Sequence, residues 1–236
     1  MKKTESRGTL KLVLTAMLTI VFIFGTFIYL SFNGSPVERY KTRGRTLNYL
    51  LEKYPNTKFK VERTFFNFKD NSYNAKVKAE NKLQTEFNVT FYITNYIRDT
   101  YIEKKFSQEA KIIIEPKIRK TLPNANVSID VFLKEGSNYG ENSKFSMEIK
   151  DIDIFLMTKW QDEKINREIF AKECVDIVRL LNSEGMYLSD YFFSCNDVKN
   201  GDYVVDIGKD SGRSEVEISL EELLKGEEIS YFKHQN

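Results

Sequence analysis

The side chains able to do chemistry are few, and their spacing builds no familiar catalytic device. The sole histidine, His234, is third from the end of the 236-residue chain. A general base must be held within hydrogen-bond reach of its target, and a chain end holds it poorly, so His234 reads as solvated. With one His and two Cys, no zinc site of His and Cys ligands can be assembled, since that takes three or four. A Ser-His or Cys-His catalytic pair is equally out of reach. A Ser-Lys pair stays open, although no spacing points to one. Gly208–Ser214 mixes Gly, Lys and Ser without the Walker order, in which Lys follows the last Gly. Asp206, Asp210, Ser214 and Glu217 fall at calcium-loop spacing, but Gly208 and Ser211 occupy positions that need a ligand and a turn glycine. An ordinary hairpin loop is expected there. Asp151 and Asp153 share a strand face and could hold a metal or act as paired carboxylates. Among 34 acids, a chance pair on a solvated face is the plainer reading. No catalytic, cofactor-binding or metal-binding residue is therefore nominated.

The two cysteines say more. Cys174 lies on the apolar stripe of a predicted helix, and Cys195 shares a strand face with Tyr191 and Phe193. From Cys174 to Gly185 the helix rises about 16 Å, and the returning segment extends about 33 Å at most. A Cys174–Cys195 disulfide is within that reach and would persist outside the cytoplasm. Two buried free thiols are the alternative.

The elements that would position these groups begin with a membrane segment. No charge occurs between Lys11 and Glu38, and Leu12–Phe32 is apolar all round. About twenty apolar residues at ~1.5 Å each span a ~30 Å hydrocarbon core, so residues 12–32 read as a transmembrane helix. The rival is a cleaved signal peptide, whose apolar region should stop after about 7–15 residues and meet small residues. This run is longer and ends Leu30-Ser-Phe-Asn-Gly-Ser-Pro36. The flanks are nearly balanced in Lys and Arg: Lys2, Lys3, Arg7 and Lys11 face Arg39, Lys41, Arg43 and Arg45. Crowding of the first four into the tail favours residues 1–11 in the cytoplasm and the bulk of the chain outside. Thr15, Thr19 and Thr26 share one face of this helix. They could contact a partner helix or bond back to their own backbone.

Beyond the membrane, Ser35 and Pro36 open a helix over 37–54, with Leu47, Leu50, Leu51 and Tyr54 as its apolar face. Three alternating runs follow, around Phe59–Phe68, Tyr73–Ala79 and Phe87–Ile93, with a bulge expected where Phe65, Phe66 and Phe68 switch faces. A helix over 96–120 carries Ile102, Phe106, Ala110 and Ile113, and Pro116 should kink or end it. A strand over Val127–Leu133 closes the first lobe. Gly136–Ser143 is either the separator of two lobes or a long hairpin tip. Then come strands around Phe145–Ile149 and Ile152–Leu156, a helix over 162–184 and strands around 188–195, 202–207 and 215–218. Asn200-Gly201 suits a turn, and Ser219 with Glu222 caps a short helix closed by Gly226. The fold class is α+β. A transmembrane helix precedes two small lobes with antiparallel sheets, α-β-β-β-α-β over 36–135 and β-β-α-β-β-β-α over 144–236.

Several runs carry a family likeness: Leu51-Glu-Lys-Tyr-Pro55, Phe59-Lys-Val-Glu62, Phe65-Phe-Asn-Phe-Lys69, Tyr73-Asn-Ala-Lys-Val77 and Asp99-Thr-Tyr101. After a single N-terminal anchor and a basic helix, this order resembles the YfjL-like proteins of Bacillus-type Gram-positive bacteria. The resemblance implies a membrane-anchored protein without an assigned activity, and transfers no functional residue.

The net charge of +2 conceals a polarity. From Glu38 to Glu135 there are 20 Lys+Arg against 12 Asp+Glu, and from Gly136 to Asn236 there are 12 against 21. A basic lobe beside the membrane suits anionic lipid, a wall polymer or another envelope protein. Alternatively the two lobes attract each other. No nucleic-acid reading motif is present. The expected protein is a single-pass, extracytoplasmic, non-catalytic binding or interaction module of the cell envelope. The alternatives are an envelope enzyme with a nonstandard carboxylate or Ser-Lys site, and an accessory subunit held through its transmembrane helix.

Overall fold

A computed structural model describes residues 2–197, 201–208, 218–225 and 229–233. His234, residues 215–217 of the expected 215–218 strand, the Asn200 turn position, Gly226 and most of the calcium- and phosphate-loop positions lie outside the described residues. The chain forms two compact units, residues 1–100 and 101–236.

The first unit begins with helix α1 (Lys2–Asn33). It is the one helix among the described residues long and apolar enough to cross a membrane, and its apolar stretch is unburied. The Thr19 and Thr26 hydroxyls donate to the Thr15 and Phe22 carbonyls, one turn back. These two hydroxyls of the stripe are thereby satisfied within their own helix.

Gly34 ends α1 with a positive φ of 66°, its N–H donating to the Leu30 carbonyl at 2.8 Å. Ser35 then caps α2 (Pro36–Lys53), accepting from the Glu38 N–H, with Pro at the start of the helix. The buried stripe of α2 is Thr42, Thr46 and Leu50, followed by Tyr54. Leu51, expected inside, is exposed. The threonines can be buried because their hydroxyls bond to the Glu38 and Thr42 carbonyls, which leaves their methyl groups to pack.

Helix α2 lies on an antiparallel sheet, β1 (Phe59–Asn67), β2 (Ser72–Ala79), β3 (Glu86–Tyr92) and β4 (Ile97–Asp99), in sequential order. The register shift in β1 falls between Val61 and Arg63, not in the Phe65–Phe68 run. Strand β4 takes the place of the expected first turn of the next helix. It pairs Val89 with Asp99 and Phe91 with Ile97.

The second unit opens with α3 (Tyr101–Thr121). This helix and strand β5 (Asn126–Leu133), expected with the meander, belong here. Helix α3 runs through Pro116, which cannot donate to the Ile112 carbonyl one turn back, and Ile112 is on the exposed side of the helix. Its buried row is Phe106, Ala110, Ile114 and Ile118, with Ile113 turned outward. The remaining elements are β6 (Ile152–Gln161), α4 (Arg167–Ser183), β7 (Asp190–Asp197), β8 (Gly201–Gly208), α5 (Leu220–Lys225) and β9 (Ser230–Lys233). They complete a five-stranded sheet in sequential order.

Its β6–β7 pair is parallel, a correction to the wholly antiparallel expectation. The α4 crossover returns the chain to the end of the sheet where β6 began. Phe145–Ile149 forms no strand. The connection from β5 to β6 lies on α3, where the rings of Tyr139 and Phe145 meet Phe106. Lys105 donates to the Glu141 and Ser143 carbonyls, and the Phe145 N–H donates to Glu109. Gly136–Ser143 is thus part of a long hairpin connection within one unit.

Candidate functional site

Sequence-nominated groups were few, and the structure separates some of them. Asp151 precedes β6 and accepts from Tyr139 and Ser137, the latter through its backbone carbonyl. Asp153 accepts from Ser189 at 3.0 Å and lies 3.5 Å from Lys134. Each carboxylate has its own partners, so the two do not converge on one ligand. Among the described residues no group of three or more His, Cys, Asp or Glu side chains is placed to hold a metal ion.

Cys174 and Cys195 are both free thiols and fully buried. Phe170, one helical turn before Cys174, stacks on Trp160 and Tyr203. These are the β6 and β8 register partners of Cys195. Helix α4 therefore crosses the sheet directly above Cys195. Burial raises both thiols, Cys195 to about 12, which leaves them protonated and unreactive.

A polar cluster in the first unit had no sequence nomination. Asp99, at the end of β4, is 2% exposed at its side chain. It accepts from Tyr49 at 2.5 Å, Lys53 at 2.7 Å and Tyr54 at 2.9 Å. The two tyrosines and the lysine come from one end of α2. Burial alone would raise the Asp99 carboxyl, but the bonds from Lys53 and Tyr49 outweigh it and hold the group below its ordinary value. Tyr49 is pushed up to about 12 by burial and by its bond to Asp99. An ionised carboxylate beside protonated phenols offers no proton to move at neutral pH, so the cluster serves as a lock between α2 and β4. Two of the family-like runs, Leu51–Pro55 and Asp99–Tyr101, meet here.

Two more of those runs meet at the foot of α1. A Cβ at Gly34 would lie 2.6 Å from the Phe66 ring. The Ser35 N–H donates to the Tyr73 hydroxyl at 2.9 Å, and Phe32 meets Phe68 edge-on at 5.3 Å. Helix α1 is thereby held against the β1–β2 hairpin by backbone, hydroxyl and ring contacts.

The outer face of the five-stranded sheet carries exposed apolar and polar side chains. Alternation along β6 buries Ile152, Ile154, Leu156, Thr158 and Trp160 and leaves Phe155, Met157 and Lys159 outside. Phe132 and Phe155 meet edge-on at 5.2 Å, and Lys159 sits 6.0 Å over Phe192. At one end of this face a cleft of about 510 Å³ is lined by Asn124, Asn126, Lys159, Gln161, Asn196 and Asp202, among others. Register explains the cluster. Asn126 pairs with Lys159, Gln161 with Asn196, Asn196 with Asp202 and Asp202 with exposed Phe232. Amides both donate and accept, so the cleft suits a neutral, polyhydroxylated or amide-bearing ligand.

At the other end of the face, Asp190 is raised to about 6 by burial and by the neighbouring Asp206 carboxyl. Asp190 Oδ1 is buried with no hydrogen-bond partner. Burial, then the hydrogen bond and charge of Asp206, all favour the protonated Asp190 carboxyl.

The architecture is that of a long apolar N-terminal helix carrying two α+β units, each built around a sheet with helices against it. Residues 9–101 match the YfjL-like N-terminal domain, and residues 109–230 match the YfjL-like C-terminal domain. The chain belongs to the YfjL-like family. The boundary between the two matches agrees with the structural division at Thr100. No curated protein and no solved structure matches it.

Proposed function

We propose that this protein is a single-pass membrane protein whose folded units lie outside the cytoplasm and act as a binding module of the envelope. In this reading α1 crosses the bilayer with residues 1–11 inside. The outer face of the five-stranded sheet is the recognition surface, and its ligand is a wall glycan. The observation that carries the reading is the amide-lined cleft, with Phe232 and Phe192 beside it. Sugar hydroxyls pair with Asn and Gln side chains, and sugar rings pack on aromatic faces. The single Lys159 and single Asp202 give the cleft no strong charge preference. The charge split fits this arrangement: Glu38–Thr100 holds 13 Lys+Arg and 7 Asp+Glu, while Tyr101–Asn236 holds 19 and 26. The more basic stretch follows the anchor, where anionic lipid would attract it.

The test uses the full-length protein in detergent or nanodiscs. Co-sedimentation with purified wall glycan is expected for the native chain and is expected to fall at least about tenfold in Lys159→Ala/Asn196→Ala, a loss of ~1.4 kcal/mol or more. Equal sedimentation of the native and variant proteins would overturn the cleft assignment. Reporter fusions at the C-terminus test the topology, and activity of a cytoplasmic reporter alone would sink the extracytoplasmic reading. The accessory-subunit reading draws less support, since the Thr19 and Thr26 hydroxyls are already bonded within α1.

A further inference from the structure

We propose that the first unit also docks on the membrane surface through the two hairpin tips at the anchor end of its sheet, so that the bilayer contacts the folded unit as well as α1. This rests on the reading of α1 as a membrane span.

The geometry comes from strand register. Strand β1 turns into β2 between Asn67 and Ser72, and Ser72 pairs with Tyr92, the last residue of β3. The β1–β2 and β3–β4 turns therefore project from the same end of the sheet. That end is the one α1 leaves from, because Phe32 touches Phe68 and Gly34 abuts Phe66. With strands ~4.8 Å apart, the β3–β4 tip stands within about 15 Å of the helix foot. A bilayer spanned by α1 then lies directly under both tips.

The tips carry the side chains such a position favours. Phe68 is 53% exposed, Ile93 69% and Tyr96 60%, while Lys69 follows Phe68 in sequence. Tyr96 stacks on Tyr92 at 5.7 Å, and Asn95 takes a positive φ of 62° with its N–H bonded to the Tyr92 carbonyl. This tight turn presents Ile93 outward. Aromatic rings with a polar tip and isolated apolar side chains gain free energy at the headgroup boundary, and a lysine there reaches lipid phosphate. The opposite end of the sheet lacks this character. Its β2–β3 turn, Glu80-Asn-Lys-Leu-Gln-Thr85, is charged and amide-rich, and it is held by Asn81 bonds to Thr85. Apolar exposure on the turns is thus concentrated at the end next to the anchor.

The experiment places single environment-sensitive labels on the full-length protein in phosphatidylcholine–phosphatidylglycerol vesicles. The label sites are made by Phe22→Cys, Phe68→Cys, Lys82→Cys, Ile93→Cys and Tyr96→Cys. Cys174 and Cys195 are fully buried and stay unlabelled in the folded protein. Nitroxide on the lipid headgroup or midway along the acyl chain reports depth. The position 22 label should be quenched by the acyl-chain nitroxide. Labels at 68, 93 and 96 should be quenched by the headgroup nitroxide several-fold more than the label at 82. Ile93 carries the decision, because its exposed side chain can be replaced with little loss of packing. If position 22 is quenched while 93 and 96 behave like 82, the docking surface is refuted and the anchor stands. If position 22 is not quenched, the anchor reading fails and this inference fails with it.

Discussion

The phenol of Tyr49 donates a 2.5 Å hydrogen bond to the carboxylate of Asp99, fifty positions along the chain. Lys53 and Tyr54 join the same carboxylate, so one buried charge ties the C-terminal turn of α2 to the last strand of its sheet. Removing the acceptor by Asp99→Ala strands two phenols and frees Lys53, which is 47% exposed and can turn to water. A loss of about 2–3 kcal/mol is expected, read as a fall in thermal midpoint of the full-length protein in detergent. A midpoint unchanged within a degree would show the lock to be dispensable.

The same pair sets an acid limit. The Asp99 carboxyl is held below its ordinary value in the folded state. Its stabilising effect is therefore complete above about pH 4, near the unfolded value, and is lost as pH falls through the folded value. Asp99→Asn should flatten that part of the stability-versus-pH curve. An acid limb identical to that of the native protein would count against the assignment.

Asp190 has the opposite sign. Its folded value is raised to about 6 from about 3.9 unfolded. Its contribution is complete below about pH 4 and disappears as pH rises through 6. Asp190→Asn should therefore leave stability near pH 4 little changed and increase it at pH 8. Asp206 is exposed, so solvent screening limits the gain to about 1 kcal/mol. Thermal midpoints at the two pH values give the comparison, and an equal shift at both would contradict the coupling.

Gly34 combines a positive φ with a 2.6 Å approach to Phe66 at its absent Cβ. Gly34→Ala should cost about 1–3 kcal/mol and loosen the foot of α1. Limited proteolysis around residues 33–36 should become faster, while cleavage in the second unit stays at its native rate. Adding Phe66→Ala should recover little, since the Cβ of residue 66, 2.7 Å from the new methyl group, and the backbone strain both remain.

The two cysteines offer a chemical check. Both are fully buried and both are raised, so neither should react with a thiol reagent at pH 8 until the protein unfolds. After unfolding without reductant, two equivalents of thiol are expected. None would mean that Cys174 and Cys195 are joined as a disulfide in the isolated protein.

Much of the architecture is legible along the chain because it depends on local pattern. The uncharged run from Leu12 to Phe32 dictates an apolar helix. Ser35-Pro36 dictates a capped start, and alternation at Tyr73–Ala79 and Phe87–Phe91 dictates strands with one buried face. Elements with weak local pattern escaped. The three-residue β4 is too short to show a period, and β9 carries only four residues. Thr42 and Thr46 read as polar, although bonds to their own helix let them line the core.

Tertiary structure alone decided what these elements do together. Where one unit ends is a matter of which sheet α3 and β5 join, and no local pattern encodes that choice. The parallel β6–β7 pair follows from the crossover of α4. The Asp99 lock, the Asp190–Asp206 pair and the row from Gln161 through Asn196 to Asp202 unite residues from separate elements. Their chemistry arises from register and burial, which exist only once the sheets have formed. The sequence by itself determined a long apolar N-terminal helix, an α+β body and a lack of histidine chemistry. Folding placed an amide-lined cleft on one sheet and apolar hairpin tips beside the foot of α1 on the other.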